Sequence, residues 1–288
     1  MRAADRAEAP GARYDRVAQH SAAAVIQGYS TSFGWASRLL REPVRTHVRS
    51  IYALVRIADE IVDDPAPDLT PDVRRELLDE FEAETARALR RGRSTNLAVH
   101  AFALAARRFR IGPELIDPFF ASMRADLEVA AHDRQSLTEY VYGSAEVVGL
   151  MCLRVFVDGD DAAYERLRGP ARSLGAAFQK VNFLRDLAED HDELGRTYFP
   201  GLDPDAFSDA HRDLLLDEID ADLAHAATAI PQLPPSSRAA VAAAHGLYAG
   251  LSARLRATPA ARIRRARVRV PDHEKARILA RAVLGARR

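Results

Sequence analysis

The sequence predicts an all-α fold, with a length that suits one large helical domain or two small ones, and three observations carry that expectation. Apolar residues recur at helical spacing in segment after segment, with capping residues between them. Strand alternation is nearly absent; only Arg267-Val-Arg-Val270 alternates, and it is too short to build a sheet. The chain has 288 residues, 48% hydrophobic and 28% charged, which is ordinary for a globular protein and ample for a buried core.

The N-terminal stretch has no apolar segment of the kind a secretory signal needs, and residues 1–17 are expected to form a disordered tail ahead of a domain at 18–288. Pro43 opens an apolar-periodic helix that runs to Asp64, where Pro65 and Pro67 stop it. Thr70-Pro71 reads as an N-cap with proline at the first helical position, starting a helix to about Arg90. A helix follows over 96–108, and Gly112-Pro113 restarts the chain into 114–131. Ser136-Leu-Thr-Glu139 reads as a capping box that opens a mostly apolar, central helix to about Val157. Gly169-Pro170 is expected to precede a helix over 172–193 that Gly195 ends. Helices over about 208–228, 235–257 and 272–284 complete the chain.

Formal charge is zero, so the molecule as a whole has no bias toward nucleic acid. The balance is uneven: twelve Arg or Lys lie between Arg254 and Arg288, against only Asp272 and Glu274. Such a segment is either a solvated basic face or a surface for anionic lipid or diphosphate. Cys152 is the only cysteine and sits in an apolar run, which suits inert core in a reducing cytoplasm. No uncharged apolar stretch reaches the ~18 residues of a membrane span. There is no GxGxxG, Walker loop, HExxH or CxxC, so nucleotide-fold and zinc chemistry start without support.

Two helices carry acidic faces. At 3.6 residues per turn, Tyr52, Arg56, Asp59 and Asp63 line one face, flanked by Ile51, Val55, Ala58 and Val62. Further on, Gly175, Gln179, Asn182, Asp186 and Asp190 share a face, with Leu174, Ala177, Phe178, Val181 and Leu184 expected opposite. Carboxylates three or four residues apart can reach one hard cation. Mg²⁺ needs only a few of them beside waters and phosphate oxygens, and amide oxygens can join the set. Spacing alone leaves two readings open for each helix, a solvated acidic face or half of a metal site.

At these residues the sequence resembles the squalene/phytoene synthase family. Tyr52-Ala-x-x-Arg56-x-x-Asp59-x-x-x-Asp63 is similar to its first aspartate-rich motif. Gln179-x-x-Asn182-x-x-Arg185-Asp186-x-x-Glu189-Asp190, followed by Gly195-Arg-x-Tyr198-x-Pro200, is similar to its second. Tyr29-Ser30-Thr31-Ser32-Phe33 resembles the serine segment near a substrate diphosphate. Tyr140-x-Tyr-Gly-Ser-Ala145-x-x-Val-Gly149 resembles the helix lining the isoprenoid channel, and Tyr248 and Arg267 resemble residues bordering the site.

The resemblance implies an isoprenoid synthase-type helical bundle with a central cavity, joining two prenyl diphosphates head to head. It implies Mg²⁺, with Mn²⁺ as an alternative, on Asp59, Asp63, Asn182, Asp186 and Asp190. Arg56, Arg185 and Arg267 would contact diphosphate, Ser30 and Ser32 would add hydroxyl donors, and Tyr52 and Gln179 would complete the centre. Asp126 matches a third acidic position of the family, though a surface aspartate explains it nearly as well. The implied product is phytoene from two geranylgeranyl diphosphates, without NADPH. The rivals are a farnesyl diphosphate-using squalene, dehydrosqualene or hydroxysqualene synthase, a head-to-tail prenyl transferase, and a non-catalytic assembly factor. The sequence departs from the family pattern at Tyr29 and Thr31 (commonly His and Lys), at Ile57, and at Glu146, where many members have Gly. The expected place is the cytoplasm, with transient contact to the inner face of an anionic membrane.

Overall fold

Three helix starts marked in the sequence carry side-chain caps. Thr70 accepts from the Val73 N–H, Asn96 from Ala98 and Val99, and Ser208 from His211. The computed structural model describes residues 11–29, 32–64, 66, 68–192 and 195–285. Its α-helices are α1 (Ala12–Tyr29), α2 (Ser32–Ser37), α3 (Val44–Asp63), α4 (Pro71–Arg91), α5 (Leu97–Phe109), α6 (Pro113–Glu128) and α7 (Arg134–Val141). They continue as α8 (Val147–Phe156), α9 (Asp161–Arg185), α10 (Leu187–Asp192), α11 (Asp209–Ala227), α12 (Arg238–Arg256), α13 (Ala260–Ile263) and α14 (Asp272–Gly285). Among the described residues there is no strand. The one isolated bridge pairs Ala131 with Thr197.

Four expectations are corrected. Residues 12–17 belong to α1, tied down by Tyr14, whose hydroxyl donates to the Ser94 carbonyl, and by Asp15 against His100 Nε2 at 2.8 Å. The capping box lies three residues earlier than read: Asp133 accepts from the Ser136 N–H, and Ser136 Oγ accepts in return from the Asp133 N–H. The central helix is then interrupted by a π-helical turn at Tyr142–Glu146. Gly169-Pro170 does not begin a helix but lies inside the 25-residue α9, whose true N-cap is Asp160, accepting from Ala162 and Ala163. Proline removes the bond to the Arg166 carbonyl, and Arg166 is exposed, so water can take its place.

One apolar cluster fills the space between α3, α4, α5, α6, α8 and the first half of α9. A second joins the later half of α9 to α11, α13 and the end of α12. Helix α9 approaches the π-turn and α8 closely at two glycines: a Cβ on Gly175 would stand 2.8 Å from the Ala145 carbonyl oxygen, and one on Gly149 of α8 would stand 3.1 Å from that of Ala171. Part of the basic C-terminal stretch is paired with the protein's own carboxylates. Arg254 pairs with Glu274, Arg256 with Asp217 and Asp220, and Arg264 with Asp192 and Asp205. On α14, Ile278 packs against Gly246 and Gly250 of α12. No helix among the described residues is long and apolar enough to cross a membrane.

Candidate active site

Between α3, α8, α9 and α12 lies a cavity of about 290 Å³ whose walls are mainly apolar. Tyr52, Val55 and Asp59 of α3 face it, with Ala145, Gly149 and Cys152 from the π-turn and α8, Gln179 and Asn182 from α9, and Tyr248 from α12. Cys152, expected in the core, stands on the cavity wall instead, and burial pushes its thiol up to about 12. Leu174 and Phe178 also line the cavity, contrary to the expected division of α9 into opposite faces. The cavity wraps around more of the helix than one stripe. Phe178 stacks on Tyr248 at 3.7 Å between ring centroids. Two wider surface grooves lie elsewhere, along α4 to α6 and between α7, α9 and α11. Their charged side chains already pair, Arg124 with Asp79 and Lys180 with Asp222.

The two acidic motifs come together beside the cavity: Asp59, Gln179 and Asn182 line it, while Asp63, Asp186 and Asp190 stand outside its lining. Asp59 opens onto it, and Asp63 lies one turn further along α3. The Asp59 side chain is 36% exposed, onto the cavity it lines; burial among protein atoms, then the charge on Asp63, pushes it up to about 7, against the pull of Arg56. Asp190 is likewise pushed up to about 7, by burial and then by Asp186, with Asp63 adding to the push, so carboxylates of both motifs feel one another. Helix α9 ends at Asp186, and the Asp190 N–H donates to the Asp186 carbonyl across the break, which keeps both aspartates on the same side.

Arginines stand among these carboxylates. Arg185 and Arg267 both reach Asp186, at 2.8 and 2.9 Å, and Arg267 also reaches Glu189 at 3.3 Å. Arg56 bonds Glu60, lies 3.9 Å from Asp59, and sits over the Tyr29 ring. Ser30 and Thr31, with the side chains of Ser32 and Phe33, lie outside the described residues.

Tyr140 does not line the cavity. It is buried in an aromatic cluster with His132, Phe183 and Tyr198, and its hydroxyl donates to Asp126 at 2.7 and 2.9 Å. Asp126 is therefore no surface residue. Its side chain is 5% exposed, and burial pushes it up to about 7 against the pull of Arg196 and of the Tyr140 and Tyr198 hydroxyls. Arg196 and Tyr198 had no role assigned from sequence, although both stand in the Gly195-Arg-x-Tyr198-x-Pro200 segment that carried the resemblance. The departure at Glu146 leaves the cavity untouched: its carboxylate turns into the groove between α7, α9 and α11 and accepts from Arg172 at 2.6 Å.

The donor set fits a hard divalent cation. Oxygens predominate, and Asn182 Oδ1 is buried at the cavity wall without a hydrogen-bond partner. Among the described residues no three His, Cys, Asp or Glu side chains form a ready-made cage. The arginines on Asp63 and Asp186 hold those carboxylates instead.

The family model for squalene/phytoene synthase matches residues 26–274. The chain is a member of the squalene/phytoene synthase family. A 15-cis-phytoene synthase of Paracoccus sp. is 31% identical over 82% of this chain and 81% of its own length. A 4,4'-diapophytoene synthase of Staphylococcus haemolyticus is 31% identical over 61% of this chain and 59% of its own. The crystal structure of a dehydrosqualene synthase in complex with ligand superposes with a TM-score of 0.78 at 20% identity, covering 96% of this chain and 99% of that one. The fold is thus the helical isoprenoid synthase fold, and the chain is a prenyl transferase-type enzyme of the phytoene, squalene and dehydrosqualene synthase group.

Proposed function

We propose that the enzyme condenses two geranylgeranyl diphosphates head to head, through a cyclopropylcarbinyl diphosphate, to phytoene. The observation that carries this reading is the meeting of both acidic motifs beside an apolar cavity. One diphosphate leaves, the allylic carbon bonds across the double bond of the second molecule, and a proton is lost. The second diphosphate then leaves, the skeleton rearranges, and loss of another proton gives the hydrocarbon. Ending on proton loss requires no hydride, so NADPH is not expected.

Asp59, Asp63, Asp186, Asp190 and Asn182 would hold Mg²⁺ or Mn²⁺, which when bound stabilises negative charge on the leaving diphosphate. Arg56, Arg185 and Arg267 carry donor forks suited to diphosphate oxygens, and Ser30 and Ser32 would add hydroxyls. Tyr52, Ala145, Gly149, Gln179 and Tyr248 line the cavity and exclude water from the carbocation. Phe33 and Tyr140, expected as direct contacts, enter this reading differently: Phe33 by family position only, and Tyr140 through its bond to Asp126.

A farnesyl diphosphate substrate is the second reading, favoured by the identity to a 4,4'-diapophytoene synthase. Incubation of pure protein with C15 and C20 diphosphates and Mg²⁺, followed by identification of the hydrocarbon, separates the two. Phytoene from C20 without NADPH supports the first. A C30 product alone refutes it.

A further inference from the structure

Arg196 is built into its place by the backbone on both sides. Gly195 turns the chain with φ +65°, the Arg196 N–H donates to the Asp190 carbonyl at 2.8 Å, and the Thr197 N–H donates to the Ala130 carbonyl at 2.8 Å. That short ladder zips the segment after α10 to the segment after α6. The guanidinium is then delivered between two other helices. Its Nη1 lies 2.8 Å from Asp63 Oδ1 on α3 and 3.7 Å from Asp126 Oδ1 on α6. The side chain is only 11% exposed. Asp126 is itself fixed by the Tyr140 and Tyr198 hydroxyls, so the anchor behind Arg196 is rigid.

We propose that Arg196 is a positioning residue that acts as the resident counter-cation of the acidic site: it holds Asp63 in the metal-free enzyme and must release it for a divalent ion to bind. The inference rests on the metal-dependent reading above. A carboxylate oxygen that accepts from a guanidinium has lost a lone pair for a metal, and the two cations repel at short range. Two opposed effects follow from removing the arginine. Loss of a positive charge a few ångströms away strengthens divalent binding on the order of tenfold, even at the dielectric of water. Loss of the tether lets Asp63 move, a cost of about one side chain's rotamer freedom, which is smaller. The charge effect therefore dominates.

The test is Mn²⁺ binding to the substrate-free protein, read from the electron paramagnetic resonance of free Mn²⁺. Arg196→Gln should bind Mn²⁺ on the order of tenfold more tightly than the parent. Its thermal midpoint without metal should be lower, and the gap should narrow at saturating Mn²⁺. Equal or weaker binding in Arg196→Gln overturns the inference, since a purely structural arginine would leave affinity unchanged or reduced. Should that variant not fold, crystal structures of the parent with and without Mn²⁺ decide. The Arg196–Asp63 contact should open in the loaded form, and its persistence with metal on Asp63 overturns the proposal. Mn²⁺ binding by neither substrate-free protein overturns this inference, and the metal-dependent reading falls with it only if hydrocarbon formation also survives removal of divalent ions by a chelator. Binding by the parent, with hydrocarbon formed but no gain in Arg196→Gln, overturns this inference alone.

Discussion

The two acidic motifs are built in different ways. Asp59 and Asp63 ride on α3, an unbroken 20-residue helix whose other face buries Ile51, Leu54, Ala58 and Val62. Asp186 and Asp190 straddle the break between α9 and α10, and that region is held by arginines from distant segments: Arg264 on Asp192 and Asp205, Arg267 on Asp186 and Glu189. The first motif takes its geometry from a helix. The second takes it from charge pairs. A cation entering the site meets one wall set on a continuous helix, where only Asp63 has an arginine partner to give up within hydrogen-bond distance, and one whose carboxylates are held by several arginines from distant segments.

The largest effect that separates the walls comes from neutralising one aspartate in each. Asp59→Asn and Asp186→Asn should each keep the fold and lose on the order of 10²-fold or more in turnover, as both are proposed metal ligands. Their metal-free stabilities should move in opposite directions. At about pH 8, Asp59→Asn removes a carboxylate crowded by Asp63 and should raise the thermal midpoint. Asp186→Asn strips charged acceptors from Arg185 and Arg267 and should lower it. Midpoints that shift the same way would dissolve the distinction, and parent-like turnover of Asp186→Asn at limiting Mg²⁺ would remove that residue from the metal site.

The same electrostatics set a pH dependence. Asp59, Asp126 and Asp190 are pushed up to about 7 in the folded protein, from an ordinary value of 3.8. Between those limits the folded state holds protons that the unfolded chain has released. Stability from these groups is thus present at low pH and is lost as pH rises through about 7. The metal-free thermal midpoint should fall between about pH 5 and about pH 8. Added Mg²⁺ should stabilise more at the upper end, because the ion favours the ionised carboxylates. A midpoint that is flat or rising without metal contradicts this account.

How much could be read in advance follows the same division. The stripe on α3 was legible because one periodicity runs through it without interruption. So were helix starts with local signals, at Thr70, Asn96 and Ser208. Helix α1 was not, since its buried stripe is Ala18, Ala22 and Ile26, too small to stand out in a polar stretch. The start of α9 was missed because Gly169-Pro170 is a strong local breaker, overridden here by packing of Tyr164 and Leu167 on one side and Ala176 and Ala177 on the other. The pairing of Asp126 with Arg196 escaped for a different reason: the two are brought together by the bridge between residues 131 and 197, a contact no local pattern records.

A smaller effect tests the charge-pair wall alone. Arg264 forks onto Asp192 at 2.7 and 2.8 Å and reaches Asp205 at 3.0 Å. Arg264→Ala should loosen α10 without unfolding the protein, because these partners are mostly exposed and each pair contributes little. Amide hydrogen exchange should quicken over 187–192 and stay unchanged over 55–63 on α3. Equal quickening in both segments would mean that the walls are mechanically one.

The smallest expected effect concerns the basic C-terminal segment and the membrane. Release of a large hydrocarbon into lipid is favourable, so reversible docking on anionic bilayers remains a reasonable proposal for this enzyme. The ion pairs narrow it. Arg254, Arg256, Arg264 and Arg267 hold carboxylates of the protein itself, and Ile278 is packed on α12 rather than offered to lipid. Arg262, Arg265 and Arg269 around α13 and the segment after it, and Arg277 and Arg281 on α14, are exposed. Each exposed arginine that reaches an anionic leaflet contributes about 1 kcal/mol, and salt screens it, so the five together give weak and reversible binding. Co-sedimentation with anionic vesicles at low salt should therefore be partial. It should vanish in high salt, on neutral vesicles, and when all five arginines are replaced by Gln. Sedimentation that survives the fivefold replacement would place the contact elsewhere, and none under any condition would return the segment to a face turned only toward water and its own carboxylates.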